Sequence, residues 1–89
     1  MPYKGQRTAR QNEREFPHIV EHLLPLGGFG MTLNLMHDWH RSRGLEIRRG
    51  TNRRADDRSY VRWCFADGSD AEAFIKEYGG TIVVPAARA

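Results

Sequence analysis

The residues best suited to chemistry lie between Arg48 and Arg62. The run Arg48-Arg49-Gly50-Thr51-Asn52-Arg53-Arg54 carries four guanidinium groups, and Arg58, Tyr60 and Arg62 follow at alternate positions. A guanidinium presents a planar fork of donors that fits phosphate or carboxylate through two hydrogen bonds, and it stacks on flat rings. Together these residues have the makings of a nucleic-acid contact to RNA or DNA, or of a regulatory surface. Tyr60 would stack on a base with Arg62 beside it, and Arg48, Arg49, Arg53, Arg54 and Arg58 would border the surface. The same loop contains Asp56 and Asp57, and the alternative reading is a solvated loop with local ion pairs.

Other reactive residue types are present without the company that chemistry needs. His18 and His22 are four apart, and His37 and His40 three apart. On helices either pair would share a side, whereas on a strand rising about 3.3 Å per residue His18 and His22 would stand about 13 Å apart. No Cys pair or His-Glu-x-x-His pattern accompanies them, so no metal or other cofactor is expected and the histidines read as surface or helix-end groups. Cys64 has no neighbouring signal that would lower its pKa, and it cannot form a disulfide within the chain. Asp67, Asp70 and Glu72 read as first-turn acids of a helix. The turn Gly27-Gly28-Phe29-Gly30 lacks both dinucleotide spacing and a phosphate-binding Lys. An enzyme is not the expectation.

The elements that must position these residues are clearest toward the C-terminus. Val61, Trp63 and Phe65 alternate with Tyr60, Arg62 and Cys64, which predicts a half-buried strand. Ser69 with Glu72 forms a capping-box pattern, and Ala71, Phe74, Ile75 and Tyr78 then make one apolar helical stripe ended by Gly79-Gly80. Thr81 to Val84 follows as a strand stopped by Pro85. Upstream, Met31 to Arg43 predicts a helix with Met31, Leu35, Met36 and Trp39 on its apolar face and Gly44 as its stop. Leu45 to Arg48 alternates as a strand, joined to the Tyr60 strand by a long basic loop.

Pro17 to Pro25 fits either a strand or a helix that gathers Ile19, Val20, Leu23 and Leu24. The strand completes βαββαβ, the split β-α-β (ferredoxin-like) order: an α+β fold with an antiparallel four-stranded sheet and two helices on one face. This strand would lie centrally beside the Tyr60 strand. The open face would then show Tyr60, Arg62 and Cys64, with His18, Val20 and His22 beside them.

In that layout residues 17–85 resemble the RNA-recognition-motif family in element order. Arg58, Tyr60 and Phe65 stand at the first, third and last positions of the family's third-strand pattern, K/R-G-F/Y-G/A-F-V-x-F/Y, and Ser59, Val61, Arg62 and Trp63 depart from it. The resemblance implies that Tyr60 stacks on a base. An alternative use of the same face resembles the dimeric α+β barrel group, in which two sheets pack as a homodimer through Val20, Leu24, Tyr60 and Cys64.

Charge and composition bound the rest. The 89 residues carry a net charge of +3, with twelve Arg against two Lys. Residues 1–62 hold twelve cations and seven anions, and residues 63–89 hold two and four. An Arg surplus also follows from GC-rich codon usage. Residues 1–15 lack apolar periodicity and read as a flexible basic arm, 16–85 as one α+β domain and 86–89 as a tail. With no apolar leader in the sequence, the expected setting is cytoplasmic, with no membrane partner.

Overall fold

The computed structural model describes residues 8–83, so the first seven residues of the expected arm, the Pro85 stop and the tail lie outside them. In chain order the elements are α1 (Ala9–Glu15), β1 (His18–Leu23), α2 (Met31–Ser42), β2 (Arg53–Ala55), β3 (Arg58–Phe65), α3 (Gly68–Tyr78) and β4 (Thr81–Val83). The four strands form one antiparallel sheet in the order β2-β3-β1-β4, with β1 beside β3 in the middle. The fold is α+β with three helices rather than two. No helix among the described residues is long and apolar enough to cross a membrane.

The additional helix lies within the segment expected as a flexible arm. Thr8 caps it: the Thr8 hydroxyl accepts from the Gln11 amide at 3.1 Å, and the Gln11 side-chain oxygen accepts from the Thr8 amide at 2.9 Å. This reciprocal pair satisfies two amides that would otherwise lack partners at the helix start. Buried Asn12 then ties α1 to the sheet edge by donating to the Arg49 carbonyl at 2.9 Å.

Within the Pro17–Pro25 segment His18–Leu23 is a strand, and its register corrects the expected faces. Val20 pairs with Trp63 and His22 with Val61, so His18, Val20 and His22 lie on the side covered by α2 and α3, not on the open side. Ile19, Glu21 and Leu23 share the other side with Cys64, Arg62 and Tyr60. The pairing buries Val20 against Trp63 and leaves Glu21 opposite Arg62, satisfying apolar and charged groups at once.

Under α2 and α3 the core gathers Val20, Met36, Trp63, Phe65, Ala71 and Phe74, with Phe29, Leu33, Trp39, Leu45, Ile75 and Tyr78 packed around them. Phe74 is fully buried, and the rings of His22, Trp39, His40, Trp63, Phe65 and Tyr78 surround it with centroids 4.9–5.5 Å away. The expected α3 stripe is thus the one used. On α2, however, Met31 and Leu35 are exposed while Met36 and His40 are buried, so the helix is turned from the expected face. A histidine read as a surface group occupies a core position.

Ends and turns differ in detail. Asp67, without a side-chain bond, precedes α3 in place of the expected Ser69 capping box. Gly44, at φ +71°, stops α2 as expected. Gly80 adopts φ +102° where a Cβ would lie 2.9 Å from both His22 Nε2 and Val20 Cγ1, so this close approach to β1 requires glycine. The second strand is not Leu45 to Arg48. It is Arg53–Ala55, joined to β3 by a two-residue turn at Asp56 and Asp57, both in the left-handed region at φ 54° and 62°. Arg48 to Gly50 still meets β3 farther along: Cys64 N–H donates to the Arg48 carbonyl and Gly50 N–H to the Arg62 carbonyl.

Candidate nucleic-acid interface

The seven residues singled out do not converge on one surface. Strand alternation puts Arg58, Tyr60 and Arg62 on the sheet side away from α2 and α3, with Arg53 opposite Tyr60. Arg48 joins them, its guanidinium 4.4 Å over the Phe16 ring. Arg49 pairs with Trp63 and Arg54 with Ser59, which puts both on the other side.

The outer side is built around two carboxylates. Glu21 accepts from Arg53 Nε at 2.9 Å and Nη2 at 2.7 Å, and from Arg62 Nε at 3.1 Å. Glu13, brought in by α1, accepts from Arg62 Nη1 at 3.3 Å and from the Thr51 amide and hydroxyl at 2.6 and 2.7 Å. Glu13–Arg62–Glu21–Arg53 is therefore one continuous network of charge-assisted bonds. The Arg53 hydrogen bonds, with Arg62 adding to them against the cost of desolvation, hold the Glu21 carboxyl below its usual range. Burial pushes Glu13 up, but the Thr51 and Arg62 contacts together outweigh it and its carboxyl is also lowered.

Sequence reasoning did not foresee either acid as part of this site. Glu21 was detectable as the residue facing Arg62 once a register was chosen. Glu13 needed α1, whose signature is the Thr8-x-x-Gln11 pattern.

Around this network the remaining groups differ in availability. Arg53 is 44% exposed at its side chain and lies 4.2 Å over the Tyr60 ring. Arg58 and Arg54 are exposed and form no ion pair with a carboxylate among the described residues, although Arg54 donates to the Ser59 hydroxyl at 3.2 Å. Arg48 is paired with Glu46. Arg54, Arg58 and Asp57 line a shallow pocket of about 370 Å³ with Leu23 to Gly28.

Cys64, expected on the open face, is buried instead. Burial first, and the Glu13 charge after it, push its thiol pKa up to about 12, so a thiolate nucleophile is disfavoured. The apolar set Val20, Leu24, Tyr60 and Cys64 does not form a common face either, since Val20 lies beneath the helices.

The histidines are dispersed. His22 and His40 are buried on the helix side, His37 packs its ring 6.1 Å from Trp63, and His18 lies against Gly68. Among the described residues no three His, Cys, Asp or Glu side chains are grouped to hold a metal ion. No protein family, curated protein or solved structure matches this chain.

Proposed function

We propose that this chain is a small non-enzymatic domain that binds single-stranded RNA or DNA on the outer side of its sheet. The observation that carries the reading is the stack of Arg53 on Tyr60 beside Arg58, which is exposed and has no carboxylate partner among the described residues. Arg53 is held over the phenol ring by its two bonds to Glu21 and stays 44% exposed, which supports its use as a platform on which a base can stack. Arg58 supplies a phosphate contact two residues along the same strand. Arg62 acts as a support within the Glu13 and Glu21 network, Arg48 is held separately by Glu46, and Arg54 adds positive charge in the pocket it lines with Arg58. The fold is read as a variant of the split β-α-β, ferredoxin-like arrangement, supported by β1 and β3 lying together at the centre and by α2 and α3 sharing one side. In this reading α1 is an addition that narrows the open face to the Tyr60 end.

Oligonucleotide binding as a function of salt tests the proposal. The logarithm of the affinity should fall with the logarithm of salt concentration, with a slope of about −0.7 per phosphate neutralised on a single strand. Arg58→Gln should make that slope shallower by about one contact, and Tyr60→Leu should weaken binding about tenfold or more without altering it. No binding at low salt overturns the proposal.

A further inference from the structure

Arg49 is the anomaly among the arginines of the central region. Arg41, Arg43, Arg48, Arg53 and Arg62 each meet a carboxylate, and Arg54 and Arg58 are exposed enough for water to serve them. Arg49 is half-buried and has no carboxylate partner among the described residues. Its guanidinium lies 4.7 Å from the Trp63 ring centroid, and its Nε–H is buried without an acceptor. The Trp63 indole N–H beneath it is likewise buried and unbonded. His37 packs against the same indole.

A cation over an aromatic face gains from the ring quadrupole, but the ring accepts no in-plane hydrogen bond from the fork. Desolvation makes the charged form of Arg49 less favourable than usual, and among the described residues no carboxylate offsets it. The stack therefore combines positive charge with donors that lack acceptors, which is the complement of an oxyanion.

We propose that Arg49 is the receptor for an oxyanion, phosphoryl or carboxylate, bound at the sheet edge over the Trp63 indole, against which His37 of α2 also packs. This site is separate from the Tyr60 surface, because Arg49 projects to the opposite side of the sheet. It stands whether or not the chain binds nucleic acid.

The test uses the whole chain and its two indole N–H signals in a nitrogen–proton correlation spectrum. Sodium phosphate and sodium acetate are titrated at constant ionic strength set with sodium chloride, and thermal unfolding is followed in parallel. A saturable shift of the Trp63 indole signal is expected, with Tm raised by about 4–8 °C at an anion concentration of roughly five times Kd. A response to phosphate alone assigns a phosphoryl ligand, and a response to acetate alone assigns a carboxylate. Arg49→Met keeps an unbranched side chain over Trp63 and should abolish both effects, while Arg49→Lys, which keeps charge but loses the fork, should weaken them about tenfold. An absent or non-saturating shift with both anions in the wild type overturns the proposal without relying on any variant. An undiminished response in folded Arg49→Met overturns it as well.

Discussion

The two sides of the sheet accommodate polar groups by opposite means. Beneath α2 and α3, with Arg49 at the edge apart, they are neutral histidines enclosed by rings: His40 Nδ1–H donates to the Met36 carbonyl at 2.9 Å, and His22 Nε2–H to the Tyr78 carbonyl at 3.3 Å. The second nitrogen of each ring is buried without a partner among the described residues. On the side reached by α1 they are charged and matched, Glu13 and Glu21 against Arg62 and Arg53. A neutral imidazole is tolerated in an apolar core with one hydrogen bond, whereas a carboxylate requires a cation and several donors. One sheet thus has a side that resists charge and a side that is organised by it.

The largest expected effect breaks the ring cluster. Phe74→Ala removes the side chain that six rings surround and should cost about 3–5 kcal/mol, a large part of the stability of a small domain, as read from urea unfolding. A loss below about 1 kcal/mol would show that the cluster collapses around the gap and is not the main packing unit.

The next effect separates the sides by pH. Burial, the first cause for both His22 and His40, lowers their folded-state pKa below the reference of 6.5, and the weaker backbone hydrogen bonds to each do not reverse this. The unfolded chain therefore binds more protons, and stability should fall as pH drops below about 6.5, approaching about 1.4 kcal/mol per pH unit for each histidine. Glu13 and Glu21 are also lowered, from 4.5, so their contribution is present above that value and is lost only as pH falls through their depressed range. Urea midpoints across pH should show a histidine window above a carboxylate window. His40→Phe should flatten the upper one and leave the lower one in place, and an unchanged upper slope would contradict the assignment.

A smaller effect tests the charged side. Glu21→Gln leaves Arg53 and Arg62 competing for a neutral acceptor and should cost about 1–2 kcal/mol, discounted because the Arg53 end is open to solvent. Added salt should reduce the difference between wild type and variant. A neutral effect would mean that the network only holds Arg53 in place.

The contrast also explains what was legible in the sequence. Alternation in β3 and the Ala71, Phe74, Ile75 and Tyr78 stripe identified the helix-covered side, because burial of large apolar groups leaves a periodic trace. The α2 face was misjudged because hydrophobicity alone ranks Met31 and Leu35 above His40, while packing rewards an aromatic ring that can stack on Phe65. The candidate site was legible as residue types but not as partnerships. Whether Arg62 is free or paired depends on Glu21 on the neighbouring strand and on Glu13, 49 residues earlier along the chain. The location of β2 was missed because an Asp-Asp pair is not the usual signal for a two-residue hairpin turn, which favours Asn-Gly or Asp-Gly.

That turn has a kinetic consequence. Ala55 pairs with Arg58 across it, so the β2–β3 ladder closes the shortest loop in the sheet, whereas Leu23 must find Tyr60 across roughly 40 residues and Ile19 must find Val83 across roughly 60. The hairpin can form on the microsecond scale, and the slower search is for β1 to dock beside it. Because β1 is the strand to which β4 is hydrogen-bonded, its arrival completes the sheet. A domain with so many long-range pairings should fold more slowly than a helical chain of equal length, with the encounter between β1 and β3 as its limiting event.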